Sequence, residues 1–242
     1  MKEFKNICYG DGSIPRQYLD VYTPEDEQPS HVLVYLHGGG LEAGSKDTPR
    51  LIYTFADSGI AVVAPNYRMY PTARYPEFIM DAAASVAWVK NNIKCDSIYI
   101  GGSSAGAYLA MMLCMDKRYL APYGIDPDAL SGFVFDAGQP TVHFNVMREA
   151  GFDPRKVAID ERAPIYHICE GRKYPPMLVF CCCESDIANR YEQTLLFIST
   201  LKDFGHTNVE FHLMESRYGH CGYCNDPIFK ETIEKFILEK KG

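Results

Sequence analysis

Short runs of consecutive Val, Ile, Leu and Phe recur along this chain and alternate with longer stretches in which apolar residues are spaced three or four apart. The short runs are typical of strands buried on both faces, and the longer stretches are typical of helices that bury one side. Eight strands are predicted on this basis, at 4–8, 17–22, 31–36, 60–65, 97–100, 132–135, 177–183 and 209–214.

From the third strand onward, helical stretches separate the strands. They are predicted at 48–57, 77–91, 105–115 and 191–204, with a last helix capped by Asp226 and carrying Pro227 in its first turn. Repeated alternation of strand and helix predicts an α/β fold: an eight-stranded, mostly parallel sheet with helices on both faces. No linker-like or low-complexity tract interrupts the alternation, so we expect one domain over residues 1–242.

Two glycine-rich motifs follow strands in this pattern. His37-Gly38-Gly39-Gly40 follows the third strand, and Gly102-Ser103-Ser104-Ala105-Gly106 follows the fifth and opens a helix. The second motif fits G-x-S-x-G, a sharp turn that exposes a serine hydroxyl, and predicts Ser104 as a nucleophile. Taken alone, Ser104 would be an ordinary helix N-cap, but the two motifs together favour an acyl-transfer site.

The first motif suits a loop whose backbone amides stabilise a developing oxyanion. We expect the donors to be the N–H groups of Gly39, Gly40 and Ala105, because glycine allows close approach and Ala105 begins a helix. His37 is interpreted as a residue that orients this loop through side-chain hydrogen bonds. A plain turn histidine remains an equal alternative.

A serine nucleophile needs a base and an acid that orients the base. In the chain order of α/β-hydrolases, both follow the serine. His220 is the predicted base, because it lies in a loop after the last strand. Asp186, three residues after the seventh strand, is the predicted acid, and Asp136 at the end of the sixth strand is its rival.

Charge, composition and cysteine spacing bear on the partners, the location and the cofactors of the protein. The net charge of −7 disfavours nucleic acid, and no apolar run is long enough for a signal peptide or a membrane span, so we expect a cytoplasmic protein. Among nine cysteines, Cys221 and Cys224 have CxxC spacing. Because a second ligand pair is missing from the sequence, we interpret them as free thiols and expect no metal and no cofactor.

The motifs together resemble the hormone-sensitive-lipase-like esterases of the α/β-hydrolase superfamily. The resemblance rests on residues 37–40, the stretch Asn66-Tyr67-Arg68, the 102–106 elbow, the Cys183-Glu184-Ser185-Asp186 stretch and Gly219-His220. It implies a serine esterase with Ser104, Asp186 and His220 as its triad and no metal. Ser103 departs from the Asp or His found before the serine in many of these enzymes.

The short N-terminal region is more similar to compact relatives: carbohydrate acetyl esterases, feruloyl esterases and kynurenine formamidases. We expect a small lid at about 139–175, with His143, Phe144 and Met147, together with His37, near the substrate. The predicted function is hydrolysis of short-chain acyl esters, including acetylated carbohydrates, by a monomer or homo-oligomer. An arylformamidase-like amide hydrolase and a non-catalytic binding module are the alternatives.

Overall fold

In the computed structural model, which describes residues 1–25, 28–48, 50–183 and 186–239, one eight-stranded sheet runs through the molecule. Its strands are β1 (Lys2–Cys8), β2 (Tyr18–Thr23), β3 (His31–Leu36), β4 (Ile60–Pro65), β5 (Ser97–Ser103), β6 (Gly132–Asp136), β7 (Met177–Cys182) and β8 (Val209–Met214). All eight correspond to the predicted strands. Glu184, part of the stretch that carries the family resemblance, lies outside the described residues.

The spatial order of the strands is β1-β2-β4-β3-β5-β6-β7-β8. β2 pairs antiparallel with β1 and β4, and every pair from β4 to β8 is parallel. The mostly parallel α/β fold predicted from the alternation of strands and helices is therefore confirmed. The central strands are buried on both faces of the sheet, and this burial explains their continuous apolar runs.

Five α-helices accompany the sheet in the described part of the chain: α1 (Glu77–Asn92), α2 (Ala105–Met115), α3 (Phe144–Glu149), α4 (Arg190–Asp203) and α5 (Pro227–Glu239). At the start of α5, the carboxylate of Asp226 accepts a hydrogen bond from the amide of Ile228, as the capping prediction requires. The helical segment predicted at 48–57, of which residue 49 lies outside the described residues, is a 3-10 helix over Leu51–Ser58 that ends at Gly59 in the left-handed conformation. Its β-branched and aromatic residues favour α-helix only weakly.

Two apolar clusters fill the two faces of the sheet. α1, α2 and α4 pack on one face, and α5 with the 3-10 helix Leu51–Ser58 packs on the other. α2 is buried over its whole length, which explains why its sequence is apolar without a polar side. Among the described residues, none of the helices has the length and apolar character needed to cross a bilayer.

The carboxyl ends of the parallel strands form one edge of the sheet, and the predicted site residues follow these ends. The 37–40 loop comes after β3, Ser104 after β5, Asp186 after β7 and His220 after β8. In open α/β sheets this edge is where ligands bind. Segment 139–175 also lies past a carboxyl end, that of β6, and contains α3 and the 3-10 helix Pro164–His167.

Candidate active site

Ser104 stands at a strained turn between β5 and α2. Its backbone has φ 53° and ψ −114°, a conformation that costs a non-glycine residue about 1–3 kcal/mol and is found mostly at functional sites. The turn is tight enough that a Cβ added to Gly106 would lie 2.1 Å from the carbonyl oxygen of Leu36. The glycine of the G-x-S-x-G motif is therefore required by close packing of α2 on β3.

Ser104, His220 and Asp186 form a continuous chain of hydrogen bonds. The Oγ of Ser104 lies 2.8 Å from Nε2 of His220, and Nδ1 of His220 lies 2.6 Å from Oδ1 of Asp186. Because an ionised carboxylate only accepts hydrogen bonds, Nδ1 carries the proton and Nε2 is left to accept from the serine hydroxyl. Three side chains separated by up to 116 positions in sequence thus meet in the order expected of a nucleophile, a base and an acid.

The carboxylate of Asp186 is held in its charged form. Burial raises its pKa, but the hydrogen bond to His220 and the hydrogen bond from the amide of Ile187 outweigh that effect, so the pKa lies below its usual value. Its side chain is only 1% exposed, and its second oxygen accepts from the amide of Cys182 at 3.3 Å. Hydrogen bonds therefore fix the positions of both carboxylate oxygens, and Oδ1 in turn fixes the orientation of the imidazole.

Asp136, the rival acid, has other partners. Its carboxylate accepts from the hydroxyl of Tyr223 at 2.5 Å and from the thiol of Cys224 at 3.0 Å. Complete burial raises its pKa, and the hydrogen bonds from Tyr223 and Cys224 offset this only in part. Asp136 lies beneath the site, whereas Asp186 is the carboxylate that bonds to His220.

The amides of the predicted oxyanion loop are available to a ligand. No hydrogen bond within the described ranges engages the backbone N–H groups of Gly39, Gly40 or Ala105. The loop turns back on itself through the carbonyl of Gly39, which accepts from the amide of Ala43 at 2.9 Å. Gly39 has φ 117°, and a Cβ there would lie 2.1 Å from the carbonyl oxygen of Ala43, so this turn excludes any other residue.

The buried side chain of His37 contacts this loop. Its ring is buried and stacked on Tyr67 at 4.3 Å, with Nδ1 donating to the carbonyl of Gly38 and Nε2 accepting from Arg16 at 3.3 Å. Burial lowers the pKa of His37 to about 4, and the charges of Arg16 and Arg50 act in the same direction. A neutral ring is required, because a protonated one could not accept from Arg16. The contacts are those of a loop-orienting residue, and the ring does not line the cavity.

We expect the fold to lose stability in mild acid because His37 is buried in its neutral form. The pKa is near 6.5 in the unfolded chain and about 4 in the folded one, so the unfolded state binds more protons between these values. The free energy of unfolding should therefore fall with pH through this window, by about 2 kcal/mol for His37 alone between pH 7 and pH 5. Buried His143, whose pKa is also lowered, adds to the fall.

Urea unfolding at pH 7, 6 and 5 measures this loss. The matched variant is His37→Gln, which cannot titrate and should show a smaller pH dependence whatever its stability at pH 7. Equal pH dependence in the two proteins would contradict the assignment.

Residues of segment 139–175 contact the oxyanion loop directly. The amide nitrogen of Asn145 donates to the carbonyl of Gly40, and Arg148 forms an ion pair with Glu42. Phe144 lines the cavity beside the loop. His143 and Met147, also predicted near the substrate, are buried: His143 caps α3 through Nδ1, and Met147 packs in the core. Of the four predicted substrate contacts, the structure therefore places Phe144 alone on the cavity wall.

The cavity above Ser104 has a volume of about 390 Å³ and is open to solvent. Besides the glycine loop, Ser104 and His220, its wall includes Arg50, Phe144, Ile187 and Cys221. Arg50 contributes a positive charge, and its Nη1 donates to Oγ of Ser103 at 3.3 Å. Sequence reasoning missed Arg50 and Ile187, which belong to loops without a motif, and Asn145, which lies in the short helix α3. Of these three residues, only Ile187 could have been found from the sequence, because it directly follows the predicted acid Asp186.

Comparison with known proteins identifies sequences and folds that are similar to this chain. Residues 19–127 match the BD-FAE family. The chain is 30% identical over 120 residues to the probable isoprenylcysteine alpha-carbonyl methylesterase ICME of Oryza sativa subsp. japonica, covering 47% of this chain and 28% of that protein. It is 30% identical over 144 residues to esterase LipC of Mycobacterium tuberculosis, covering 53% and 35%. The matched region thus spans about a third of the length of these curated relatives.

Solved structures share the whole fold. A truncated carbohydrate esterase from gut microbiota superposes with a TM-score of 0.79 at 19% identity, covering 99% of this chain and 96% of that one. Esterase 2 of Thermogutta terrifontis, phosphoramylated by tabun, superposes with a TM-score of 0.75 at 22% identity, covering 97% and 94%. The chain therefore has the α/β fold of these esterase structures, and its residues 19–127 are similar to the BD-FAE family.

Proposed function

We propose that this protein is a serine hydrolase of carboxylic esters that works through an acyl-enzyme. The observation that carries the proposal is the hydrogen-bonded chain from Ser104 through His220 to Asp186, with distances of 2.8 and 2.6 Å. A serine hydroxyl becomes nucleophilic when an oriented imidazole accepts its proton. The similarity to proteins named as esterases supports the same chemistry.

In this mechanism, Ser104 Oγ attacks the ester carbonyl and His220 Nε2 takes its proton. The carbonyl oxygen becomes negatively charged and accepts hydrogen bonds from the amides of Gly39, Gly40 and Ala105. Each such donor contributes about 3–4 kcal/mol to transition-state stabilisation in acyl transfer. His220 then protonates the leaving alcohol, and a water molecule, deprotonated by the same imidazole, releases the acid. Asp186 keeps the imidazole in place and stabilises its charged form.

We further propose that segment 139–175 acts as a small lid that restricts the acyl group to short chains. Phe144 stands on the cavity wall close to the oxyanion loop, and its neighbour Asn145 ties α3 to that loop. Acetylated carbohydrates are the proposed natural class of substrate, in keeping with the names of the structural neighbours. None of the nine cysteines, all of which lie in the described ranges, forms a disulfide bond, and this favours a reducing compartment such as the cytoplasm.

We expect p-nitrophenyl acetate and butyrate to be hydrolysed with a kcat/KM roughly 10-fold or more above that of the octanoate, because a mismatched acyl chain loses about that much in a restricted pocket. The measurement is initial rates on the three esters, with N-formylkynurenine and acetylated xylan oligomers in the same panel. Ser104→Ala provides the background rate. Preference for the octanoate would contradict the short acyl pocket, and faster turnover of N-formylkynurenine than of every ester would favour the amide hydrolase.

A further inference from the structure

Directly below the catalytic base lies a cluster of metal-binding side chains that the proposed mechanism does not use. Asp136, Cys221 and Cys224 each present one ligand atom, and the three atoms lie within 4.8 Å of one another. Asp136 is completely buried. From this geometry we infer a binding site for a divalent cation of the zinc class, formed by these three residues, with a water molecule as the fourth ligand.

The distances between the ligand atoms fit a tetrahedral ion. Bonds of about 2.3 Å to sulfur and about 2.0–2.2 Å to nitrogen or oxygen place neighbouring ligand atoms roughly 3.5 Å apart. Here Sγ of Cys221 lies 4.0 Å from Oδ1 of Asp136. Sγ of Cys224 lies 3.0 Å from Oδ2 of Asp136 and would need to withdraw by about half an ångström.

The backbone supplies the spacing that such a site needs. Cys221 and Cys224 belong to one tight turn, in which the amide of Cys224 donates to the carbonyl of Cys221 at 3.2 Å. Two cysteines separated by two residues are a common ligand pair for zinc. Sequence alone lacked a further ligand, because Asp136 comes from the end of β6, far from the two cysteines along the chain.

Charge and access also favour a cation. Binding would displace the protons of both thiols, and two thiolates with one carboxylate would carry three negative charges. A divalent ion together with the positive charge of Arg50, which interacts with Cys224 and Asp136, would balance them. Cys221 lines the catalytic cavity, so an ion can reach the cluster from solvent through the active site.

Occupancy of this site would slow catalysis, an effect that rests on the proposed function. Sγ of Cys221 lies 3.7 Å from Nε2 of His220, which itself lies 2.8 Å from the hydroxyl of Ser104. Loss of the thiol proton and binding of an ion to this sulfur would change the charges directly beside the catalytic base. Removing the ion with a chelator would restore the rate.

The test is titration of the full chain with Co²⁺ in the presence of a phosphine reductant, followed by competition with Zn²⁺. We expect one Co²⁺ per chain, with a thiolate-to-cobalt charge-transfer band and the visible spectrum of a tetrahedral site. Zn²⁺ should remove the band. In Cys221→Ser/Cys224→Ser, the band should vanish and affinity should fall at least 100-fold. Cys169→Ser, which alters an exposed cysteine far from the cluster, is the matched control and should bind as wild type.

A second readout separates the metal site from the proposed activity. The measured quantity is the rate of ester hydrolysis with Zn²⁺ divided by the rate without Zn²⁺. This ratio should be at least 10-fold lower for the wild-type chain and for Cys169→Ser than for the double-serine variant. Absence of the charge-transfer band, or its persistence in the double-serine variant, would overturn the site even if the protein is an esterase. A band without inhibition would overturn the effect of the ion on His220, and a band in a protein that hydrolyses no ester would count against the proposed function alone.

Discussion

Replacing Ser104 by alanine is expected to abolish covalent labelling by a fluorophosphonate and to lower kcat/KM toward p-nitrophenyl acetate by about 10⁴-fold or more. The hydroxyl oxygen at 2.8 Å from His220 is the only atom of the triad that would bond to the acyl group, and alanine removes it. The fold should remain intact, because Ala fits any space that Ser occupies. Labelling followed by peptide mapping, together with initial rates, measures the effect.

Ser103→Ala is the matched control for this substitution. Ser103 is the adjacent serine of the same motif, but its hydroxyl is buried and contacts the hydroxyl of Tyr35 at 3.0 Å and Arg50 at 3.3 Å. This variant should still be labelled at Ser104. Labelling of the Ser104→Ala protein at position 103 would show that the nucleophile has been assigned to the wrong serine.

Replacing Asp186 by asparagine should lower kcat on the order of 10³–10⁴-fold while leaving the protein folded. The asparagine amide can donate to Nδ1 of His220, which favours the tautomer with its proton on Nε2. That proton faces Ser104 Oγ, so the imidazole can no longer accept from the hydroxyl. The charged form of His220 also loses the carboxylate that lies 2.6 Å away. Steady-state rates on p-nitrophenyl acetate measure the loss.

Asp136→Asn tests the choice of acid. This carboxylate accepts from Tyr223 and Cys224, and an asparagine oxygen can still accept one of these hydrogen bonds. We expect less than about a 10-fold change in kcat, with a larger effect on stability because one buried donor or acceptor is left without a partner. Comparable losses of kcat in the two asparagine variants would mean that Asp186 is not the sole orienting acid.

Hydrophobic patterning identified the elements of the fold because burial on both faces leaves a local mark. β3 and β4 begin and end where the apolar runs do, and α2 is delimited by the elbow at one end and Asp116 at the other. The pattern failed at Leu51–Ser58, where an amphipathic stretch became a 3-10 helix. Apolar spacing over two turns does not separate an α-helix from a 3-10 helix. The segment ends at Gly59, whose amide donates to the carbonyls of Ala56 and Phe55.

Local motifs in the chain were enough to point to Ser104, to the 37–40 loop and to the loops carrying Asp186 and His220, because strained turns and close backbone approaches demand particular residues at fixed spacing. The pairing of Asp186 rather than Asp136 with His220 depended on how the loops after β7 and β8 meet, and no local pattern encodes that meeting. The same is true of Asn145 on the carbonyl of Gly40 and of Asp136 beside the two cysteines. Contacts between segments far apart in sequence form only when the sheet assembles, so no local pattern predicts them.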